Sequence, residues 1–383
     1  MGSGIKILFI NYEYPPVGGG GANANARIFS HFADMKDLDI TLITSAAPGE
    51  DYSESFLFPN IRAIRLPVGK RDLHYWRESE VLRFIIRAEI TARSELKGGR
   101  FDLCHAFFGF PSGLISYHLR KRMPYIVSLR GSDVPGFNER FSAQYVFLKP
   151  VFRKIWQNAD CVVCNSRGLV NLAEKTDRSI PYRIIPNGVD TDEFYPAESP
   201  AWPPRIINVS RLIRRKGHRE LLEAFYGVRE HFPDAVLDLV GEGDLETRLK
   251  NDCVKLGIQE HVNFRGYVRH EDVAALYRDS SIFILPSFNE GMSNSALEAM
   301  ASGLPLLLSD TGGTAELLDD NGLLVQPGNA RSIEQALINA LSDRQKLQKM
   351  GIRSRELAMN RSWKTVAVQT VELYEDILRH KRI

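Results

Sequence analysis

Glu290 and Glu298, two glutamates eight residues apart, are the residues of this sequence whose spacing most strongly indicates a functional site. They lie in the stretch Pro286–Gly303, which follows an apolar run, SIFIL, typical of a buried parallel strand. The pattern predicts a helix from about Ser293 or Asn294 to Gly303. Backbone N–H groups and the positive end of this helix would form a phosphate site between two carboxylates. Such a site suits a ligand with both hydroxyls and phosphates, such as a nucleotide sugar.

The same two residues also have structural interpretations. The run Ser295-Ala-Leu-Glu298 matches a capping box, in which Glu298 would only help to begin the helix. Glu290 could be an exposed loop carboxylate, although the sequence gives it no evident structural role. This stretch alone leaves both alternatives open.

A run of cations, SRLIRRKGH, lies between a predicted strand and a predicted helix in the second half of the chain. Arg211 and Lys216 in this run are suited to neutralising a diphosphate leaving group, because a guanidinium and an ammonium both bind phosphate oxygens. Arg214 and Arg215 are expected to be solvated. The chain has no P-loop signature, so NTP hydrolysis is not indicated.

A glycine run near the N-terminus formally matches the G-x-G-x-x-G/A pattern of dinucleotide-binding proteins. Eight residues separate it from the preceding strand, however, and the next strand ends in Thr44 and Ser45 where an acidic residue is expected. These two departures argue against a nicotinamide dehydrogenase. Gly19 and Gly20 remain either a flexible anion-binding loop before a helix or a plain connector.

Short apolar strands alternate with helices along the whole chain, which predicts an α/β protein with parallel sheets covered on both faces. Length favours two domains, and the Pro-dense segment FYPAESPAWPP is the best linker. We therefore expect two Rossmann-like domains across a cleft, over residues 1–195 and 204–362, with a linker at about 195–204 and a last helix in 363–383.

Composition describes an ordinary globular protein of 383 residues, with 25% charged residues and a net charge of +2. No window reaches the roughly 18 apolar residues of a membrane span, and the N-terminal apolar run is too short for a signal peptide. A cytoplasmic protein with no nucleic-acid partner is expected. Two Asp-x-Asp runs read as turns, so no catalytic metal and no cofactor are expected.

Together these motifs resemble family 4 retaining glycosyltransferases of the GT-B fold. In the second half they are SRLIRRKGH, VGEGDLE, FRGYV, PSFNEGMSNSALEAMASGLPLL and DTGGTAELL, and in the first half YEYPPVGGGGAN, RGSDV and IPNGVDTDEFYP. The resemblance covers nearly the whole chain. The spacing of Glu290 and Glu298 is its most specific element.

The resemblance implies a role for each matching position. Glu290 would hold donor-sugar hydroxyls and Glu298 the ribose hydroxyls, while Arg211 and Lys216 would stabilise the departing diphosphate. The remaining donor-binding positions would act largely through their backbone: Gly19, Gly20, Val268, Gly291, Met292, Ser293 and Asn294. The last helix would pack back onto the first domain.

The chain departs from the family on the acceptor side. Relatives often carry a second histidine two residues after the position of His105, where this chain has Phe107, and a histidine where it has Arg130. His105 is therefore either an acceptor-side residue or a packed core histidine. Arg130 and Asp133 could pair with each other or bind an anionic acceptor.

The sequence thus predicts a metal-independent, retaining transferase that moves a sugar from a nucleoside diphosphate donor, UDP or GDP favoured, to an acceptor hydroxyl. The acceptor would be a glycan, a lipid-linked or a small molecule, in glycan, glycolipid or small-glycoside synthesis. Alternatives are a nucleotide-sugar epimerase and a non-catalytic nucleotide-sugar binding subunit.

Two segments mix aromatic and basic residues: HYWRESEVLRFIIRAEI and YVFLKPVFRKIW. They could make peripheral contact with the inner face of a membrane. The alternative is that both are amphipathic helices packed on their own sheet.

Overall fold

The protein forms two compact units in a computed structural model, which describes residues 4–137, 142–198 and 201–381, with the side chains of 142–144 left aside. The first unit comprises Met1–Asn187 and Trp363–Ile383, and the second comprises Gly188–Ser362. Both are α/β units built on a largely or wholly parallel sheet, which confirms the predicted fold class.

The first unit is organised around an eight-stranded sheet in the order β3-β4-β2-β1-β5-β6-β7-β8. The strands are β1 (Ile5–Ile10), β2 (Leu38–Ser45), β3 (Ser53–Phe58), β4 (Ile61–Leu66), β5 (Leu103–Phe107), β6 (Tyr125–Leu129), β7 (Cys161–Cys164) and β8 (Tyr182–Ile184). All neighbouring strands pair in parallel except β3, which runs antiparallel to β4 at the edge. The sequence pattern did not predict β3, because most of its side chains are exposed.

Helices from the part of the first unit before residue 187 cover this sheet. They are α1 (Gly20–Phe32), α2 (Glu78–Gly98), α3 (Ser112–Leu119), α4 (Ser142–Gln157) and α5 (Arg167–Glu174). Strands β1, β5 and β6 are buried over nearly their whole length, as expected for parallel strands covered on both faces.

The second unit contains a six-stranded parallel sheet in the order β11-β10-β9-β12-β13-β14. The strands are β9 (Arg205–Val209), β10 (Val236–Val240), β11 (Val262–Gly266), β12 (Ile282–Leu285), β13 (Leu306–Ser309) and β14 (Gly322–Val325). The helices are α6 (His218–His231), α7 (Glu246–Leu256), α8 (His270–Arg278), α9 (Asn294–Ala301), α10 (Ala330–Ser342) and α11 (Arg344–Met359).

Strand β12 shows why the second unit needs continuous apolar strands. Ile282 and Ile284 point into a hydrophobic cluster shared with α6 and α10, whereas Phe283 and Leu285 point into a second cluster shared with α8 and α9. Successive side chains of a strand face opposite sides of the sheet. Both sides are therefore filled by apolar residues.

The last helix, α12 (Trp363–Lys381), belongs to the first unit and packs against α1. Its Tyr374 is fully buried, with its ring 6.3 Å from that of Phe32. Within residues 4–137, 142–198 and 201–381, none of the helices combines the length and the apolar character that crossing a bilayer requires.

The boundary between the units falls at Asn187–Gly188, earlier than the expected position at residue 195. The segment after it is attached to the second unit, because the Val189 N–H donates to the Arg361 carbonyl at 2.7 Å. The Arg355 guanidinium donates to the carbonyls of Thr191 and Phe194 at 3.1 and 2.8 Å. Described residues of the expected linker at 195–204 therefore also lie in the second unit.

His105 on β5 lies in the core of the first unit, with only 3% of the residue exposed. Its Nδ1 is 2.6 Å from the Tyr374 hydroxyl and its Nε2 is 2.7 Å from the Ser128 hydroxyl. Burial, assisted by the Arg130 charge, lowers the pKa of His105 to about 3. A neutral, enclosed ring favours the packed core histidine over the acceptor-side residue.

This burial predicts that His105 makes stability fall as the pH falls. Below about pH 6.5 the ring is protonated in the unfolded chain, whereas the buried ring of the folded protein stays neutral. This difference lowers the free energy of unfolding by about 2 kcal/mol at pH 5. The stability difference between the native protein and His105→Gln should therefore shrink by that amount between pH 8 and pH 5, as measured by urea unfolding. Val368→Ala, at an exposed position of α12, is the control and should show a constant difference, because neither side chain titrates. A pH-independent difference for His105→Gln would contradict the burial argument.

Candidate functional site

Three loops meet at the carboxyl ends of the adjacent strands β9, β12 and β13. Gly217 has φ of +71° and lies against the Pro286 carbonyl, where a Cβ would come within 2.2 Å of the oxygen. Gly312 has φ of +56° and lies against the Glu290 carbonyl, where a Cβ would come within 1.8 Å. Only glycine fits either position, since both the backbone conformation and the close approach exclude a side chain.

Backbone hydrogen bonds fasten the same three loops. The Phe288 N–H donates to the Arg215 carbonyl at 2.8 Å, which joins the loops after β12 and β9. The Gly313 N–H donates to the Gly291 carbonyl at 3.1 Å, which joins the loops after β13 and β12. The position of Glu290 is thus set by backbone on both sides.

Glu290 is buried in these loops and forms an ion pair with Lys216. The same carboxylate oxygen accepts a hydrogen bond from the Ser287 hydroxyl at 2.9 Å. The alternative of an exposed loop carboxylate is therefore wrong. Glu290 also has a structural partner, which the sequence did not indicate.

The electrostatics of this pair follow from burial and from nearby cations. Burial alone would raise the pKa of the Glu290 carboxyl, but the charges of Lys216 and Arg215 and the hydrogen bonds from Lys216 and Ser287 lower it below its usual value. Glu290 is therefore ionised at neutral pH. Burial lowers the pKa of Lys216, as do the charges of Arg215 and Arg211, while Glu290 opposes them.

The predicted cations occupy different environments around this pair. Lys216 is largely buried, whereas Arg211 is exposed just beyond β9 and near enough for its charge to act on Lys216. Arg214 is exposed, as expected. Arg215 is half-buried rather than solvated, and its guanidinium lies 3.5 Å from the Asn289 carbonyl. The cluster thus concentrates positive charge beside Glu290.

Helix α9 begins directly after this loop. Ser293 is its N-cap, with its hydroxyl accepting from the Ala296 N–H at 3.3 Å, and Gly291, Met292 and Ser293 are buried. Asn294 is the first helical residue, so the positive end of the helix dipole lies beside Glu290 and Lys216. The helix ends in a Schellman motif at Gly303, which has φ of +71°.

Glu298 does not form the capping box, because the helix begins at Ser293 and not at Ser295. Its Oε1 lies 3.2 Å from Nε2 of His270, and its Oε2 accepts from the Tyr277 hydroxyl at 3.2 Å. Nδ1 of His270 lies 2.8 Å from Oε1 of Glu193. Each Glu298 oxygen keeps lone-pair capacity for a further donor.

Val268 lies in the loop between β11 and α8, two residues before His270. Its half-buried side chain packs on the cluster that contains Tyr277 and Leu297. The side chain therefore anchors this loop, and the predicted contact through its backbone remains a proposal.

In the first unit, Gly19 is the N-cap of α1 and Gly20 is its first residue. A Cβ on Gly19 would meet nothing within 4 Å, whereas one on Gly21 would lie 2.5 Å from the Phe108 ring. The run is thus partly a packing requirement. It still presents a helix N-terminus at Gly19 and Gly20, which suits an anion.

Arg130 and Asp133 do not pair through their side chains. Asp133 is buried and accepts from the backbone N–H groups of Gly109, Arg130 and Gly131 at 2.6, 2.9 and 2.8 Å. Burial raises the pKa of its carboxyl, and these bonds oppose that rise. The Arg130 guanidinium lies over the Phe107 ring and donates to the Asn187 amide oxygen at 2.7 Å.

The structure therefore brings Glu290, Lys216 and the start of α9 together, with Arg211 close by. It also reveals partners that sequence reasoning missed: Ser287, Gly217, Gly312, His270, Tyr277 and Glu193. A signal existed only for the two glycines, which lie in RRKGH and DTGGT directly after predicted strands. The others depend on contacts between distant segments.

Two family profiles match successive parts of the chain. Residues 18–193 match Glycosyltransferase Family 4, and residues 191–357 match Glycosyl transferases group 1. An uncharacterized glycosyltransferase of Methanocaldococcus jannaschii is 22% identical over 379 residues, covering 97% of this chain and 99% of that protein. A GDP-mannose-dependent alpha-(1-6)-phosphatidylinositol monomannoside mannosyltransferase of Mycolicibacterium smegmatis is 29% identical, covering 59% of this chain and 64% of that protein.

Solved structures share the fold at low sequence identity. Sucrose-phosphate synthase of Thermosynechococcus elongatus superposes with a TM-score of 0.85 at 23% identity, covering 98% of this chain and all of that one. The Anabaena protein HepE, solved in complex with UDP, superposes with a TM-score of 0.73 at 18% identity, covering 97% and 100%. With family matches from residue 18 to residue 357 and this shared architecture, the chain belongs to glycosyltransferase family 4 and has the GT-B fold.

Proposed function

We propose that the protein is a retaining glycosyltransferase that uses a nucleoside diphosphate sugar and needs no metal ion or cofactor. The observation that carries this proposal is the Lys216–Glu290 ion pair beside the N-terminus of α9. A carboxylate, an ammonium and a positive helix end at one point suit a ligand that carries hydroxyls next to a diphosphate.

Lys216 and Arg211 neutralise the charge that develops on the departing diphosphate. An ammonium has three donors, so Lys216 can keep Glu290 and still donate to a phosphate oxygen. Preorganised charge of this kind is usually the largest contribution to catalysis. Gly19 and Gly20, at the N-terminus of α1 in the first unit, bind phosphate through their backbone N–H groups.

Glu290 binds hydroxyls of the donor sugar, with the backbone of Gly291, Met292, Ser293 and Asn294 around it. Glu298 accepts the ribose hydroxyls, and Val268 contacts the base through its backbone. The acceptor hydroxyl attacks on the face from which the diphosphate leaves, and a donor phosphate oxygen takes its proton. Retention of configuration follows from this same-face attack.

The donor base is uracil or guanine. UDP is bound in the HepE structure, and the mycobacterial mannosyltransferase is named as GDP-mannose-dependent. The acceptor is a glycan, a lipid-linked or a small molecule. The enclosed His105 is left out of the acceptor site, and Asp133 holds the loop that carries Arg130.

We further propose that the first unit contacts the inner face of a membrane from the cytoplasm. Helix α2 buries Phe84, Ala88 and Ala92, yet Leu82, Ile86 and Ile90 form an outward stripe, each more than half exposed. Helix α4 adds Phe147, 82% exposed, and cations Lys149 and Lys154. Apolar side chains beside cations suit an anionic lipid surface.

We expect Lys216→Ala and Arg211→Ala each to lower kcat by about two to three orders of magnitude, since each removes one charge from the leaving diphosphate. Transfer is measured as acceptor-dependent release of UDP or GDP from a panel of sugar donors, with the anomer of the product assigned by NMR. Arg214→Ala, an exposed cation of the same run, is the matched control and should keep the native rate. Near-native turnover in either Lys216→Ala or Arg211→Ala would refute its assignment.

The same assay separates the competing functions. An epimerase would convert the donor without an acceptor, and a binding subunit would bind the donor without turnover. Inversion at the anomeric carbon would overturn the retaining mechanism.

We expect Glu290→Gln to lower kcat about 100-fold, because the neutral amide accepts more weakly from a sugar hydroxyl in the transition state. It should also reduce the free energy of unfolding by ~1–3 kcal/mol, since Lys216 loses its charged partner. Activity and urea unfolding are measured on the same preparation. Full activity combined with reduced stability would assign Glu290 a purely structural role.

The exposed stripe predicts binding to anionic vesicles. We expect the double substitution Ile86→Ser/Ile90→Ser to reduce sedimentation with phosphatidylglycerol vesicles by at least about tenfold, because two apolar side chains no longer enter the lipid. Val254→Ser, at an exposed apolar position on α7, is the control. If the native protein does not sediment with these vesicles, the membrane proposal fails.

A further inference from the structure

The side chains of Glu193, His270 and Glu298 form a chain of contacts in the second unit. Both ring nitrogens of His270 face carboxylate oxygens, Nδ1 at 2.8 Å from Glu193 and Nε2 at 3.2 Å from Glu298. Ionised carboxylates only accept hydrogen bonds, and a neutral imidazole has a single N–H. Both contacts are hydrogen bonds only when the ring carries two protons, so the geometry describes an imidazolium.

The groups around this ring are consistent with a cation. Glu193 approaches from the segment before β9 and Glu298 from α9, while the Phe194 ring meets the imidazole edge-on at 5.2 Å. The Tyr277 hydroxyl of α8 holds the second oxygen of Glu298.

Two further cations belong to, or bind, the segments that carry His270 and Glu193, and both have their own partners. Arg269, next to His270 in the chain, pairs with Glu271 and Asp272. Arg355 of α11 binds carbonyl oxygens of the segment around Glu193. Glu193 and Glu298 are carboxylates that face the imidazole.

We propose that His270 is a positioning residue, which as an imidazolium between Glu193 and Glu298 orients the Glu298 carboxylate towards the ribose hydroxyls of the donor. The proposal rests on the proposed function, which assigns those hydroxyls to Glu298. Loss of the ring proton leaves one nitrogen lone pair facing a carboxylate, so one of the two contacts must break. Donor binding therefore weakens as the pH rises through the titration of this ring.

The Glu193→Gln variant distinguishes this role from simple packing. A glutamine amide can donate to Nδ1, which leaves the single N–H of a neutral ring on Nε2 for Glu298. The variant should therefore keep tight nucleotide binding at alkaline pH. Any effect of Lys216 deprotonation on nucleotide binding is common to both proteins. The difference between their pH profiles therefore reports the protonation of the His270 ring alone.

The experiment is calorimetric titration of UDP and of GDP into the full chain between pH 6 and pH 9. Between pH 6 and pH 9, the nucleotide affinity of the native protein should fall about 10-fold more than the affinity of Glu193→Gln. The difference corresponds to one charged hydrogen bond, which only the native protein loses. His270→Gln should weaken binding about 10-fold at pH 6 with kcat within about twofold, because Glu298 contacts the ground state and transition state alike. His231→Gln, at an exposed position, is the control.

A second measurement separates failure of this inference from failure of the proposed function. Nitrogen-15 NMR of histidine-labelled protein, with His270→Gln for assignment, reports whether both ring nitrogens are protonated at pH 7. A neutral ring, or identical pH profiles for the native protein and Glu193→Gln, overturns the inference. If neither nucleotide binds the native protein, the donor assignment fails, and a doubly protonated ring would still support the bridge.

Discussion

The close approach of three loops at the carboxyl ends of β9, β12 and β13 is the constraint on which the candidate site depends. Lys216 and Glu290 are 74 residues apart in the chain, and they meet because Gly217 and Gly312 allow backbone to touch backbone. Parallel strands place their following loops at one edge of the sheet. The buried apolar strands therefore fix an ion pair that neither loop could hold alone.

Burial determines how strongly Lys216 and Glu290 interact. At the protein surface the two charges would be screened by water and would contribute little. Among packed loops they are held together, and the charges of Lys216 and Arg215 keep Glu290 ionised despite its burial. Burial, with the charges of Arg215 and Arg211, lowers the pKa of Lys216. The concentration of positive charge from Lys216, Arg215 and Arg211 beside Glu290 supports the proposed phosphate-bearing ligand.

Sequence reasoning found the elements whose signals are local. The run SIFIL and the glycine at 303 predicted β12, α9 and the end of that helix, because continuous apolar residues and a left-handed C-cap are encoded within a few positions. Strand β3 was missed because an exposed edge strand has no such run. The domain boundary was misplaced because proline density does not reveal that Arg355 ties residues 191 and 194 to the second unit.

The partners of Glu298 were beyond any local pattern. A capping box is matched by four adjacent letters, whereas His270 lies 28 residues from Glu298 and 77 from Glu193. For His105 the sequence left two alternatives, and only the enclosure of both ring nitrogens by hydroxyls favours one of them. Long-range contacts of this kind become visible only once the sheet order is known.

The glycine contacts also limit how this catalyst can be redesigned. At positions 217 and 312, and also at Gly241 and Gly243, a Cβ would come within 2.3 Å or less of a backbone oxygen of a neighbouring loop. Variant libraries that aim to change sugar preference should hold these four codons constant. Diversity belongs at solvent-facing side chains on the same loops, such as Phe288, which can change without separating the backbones.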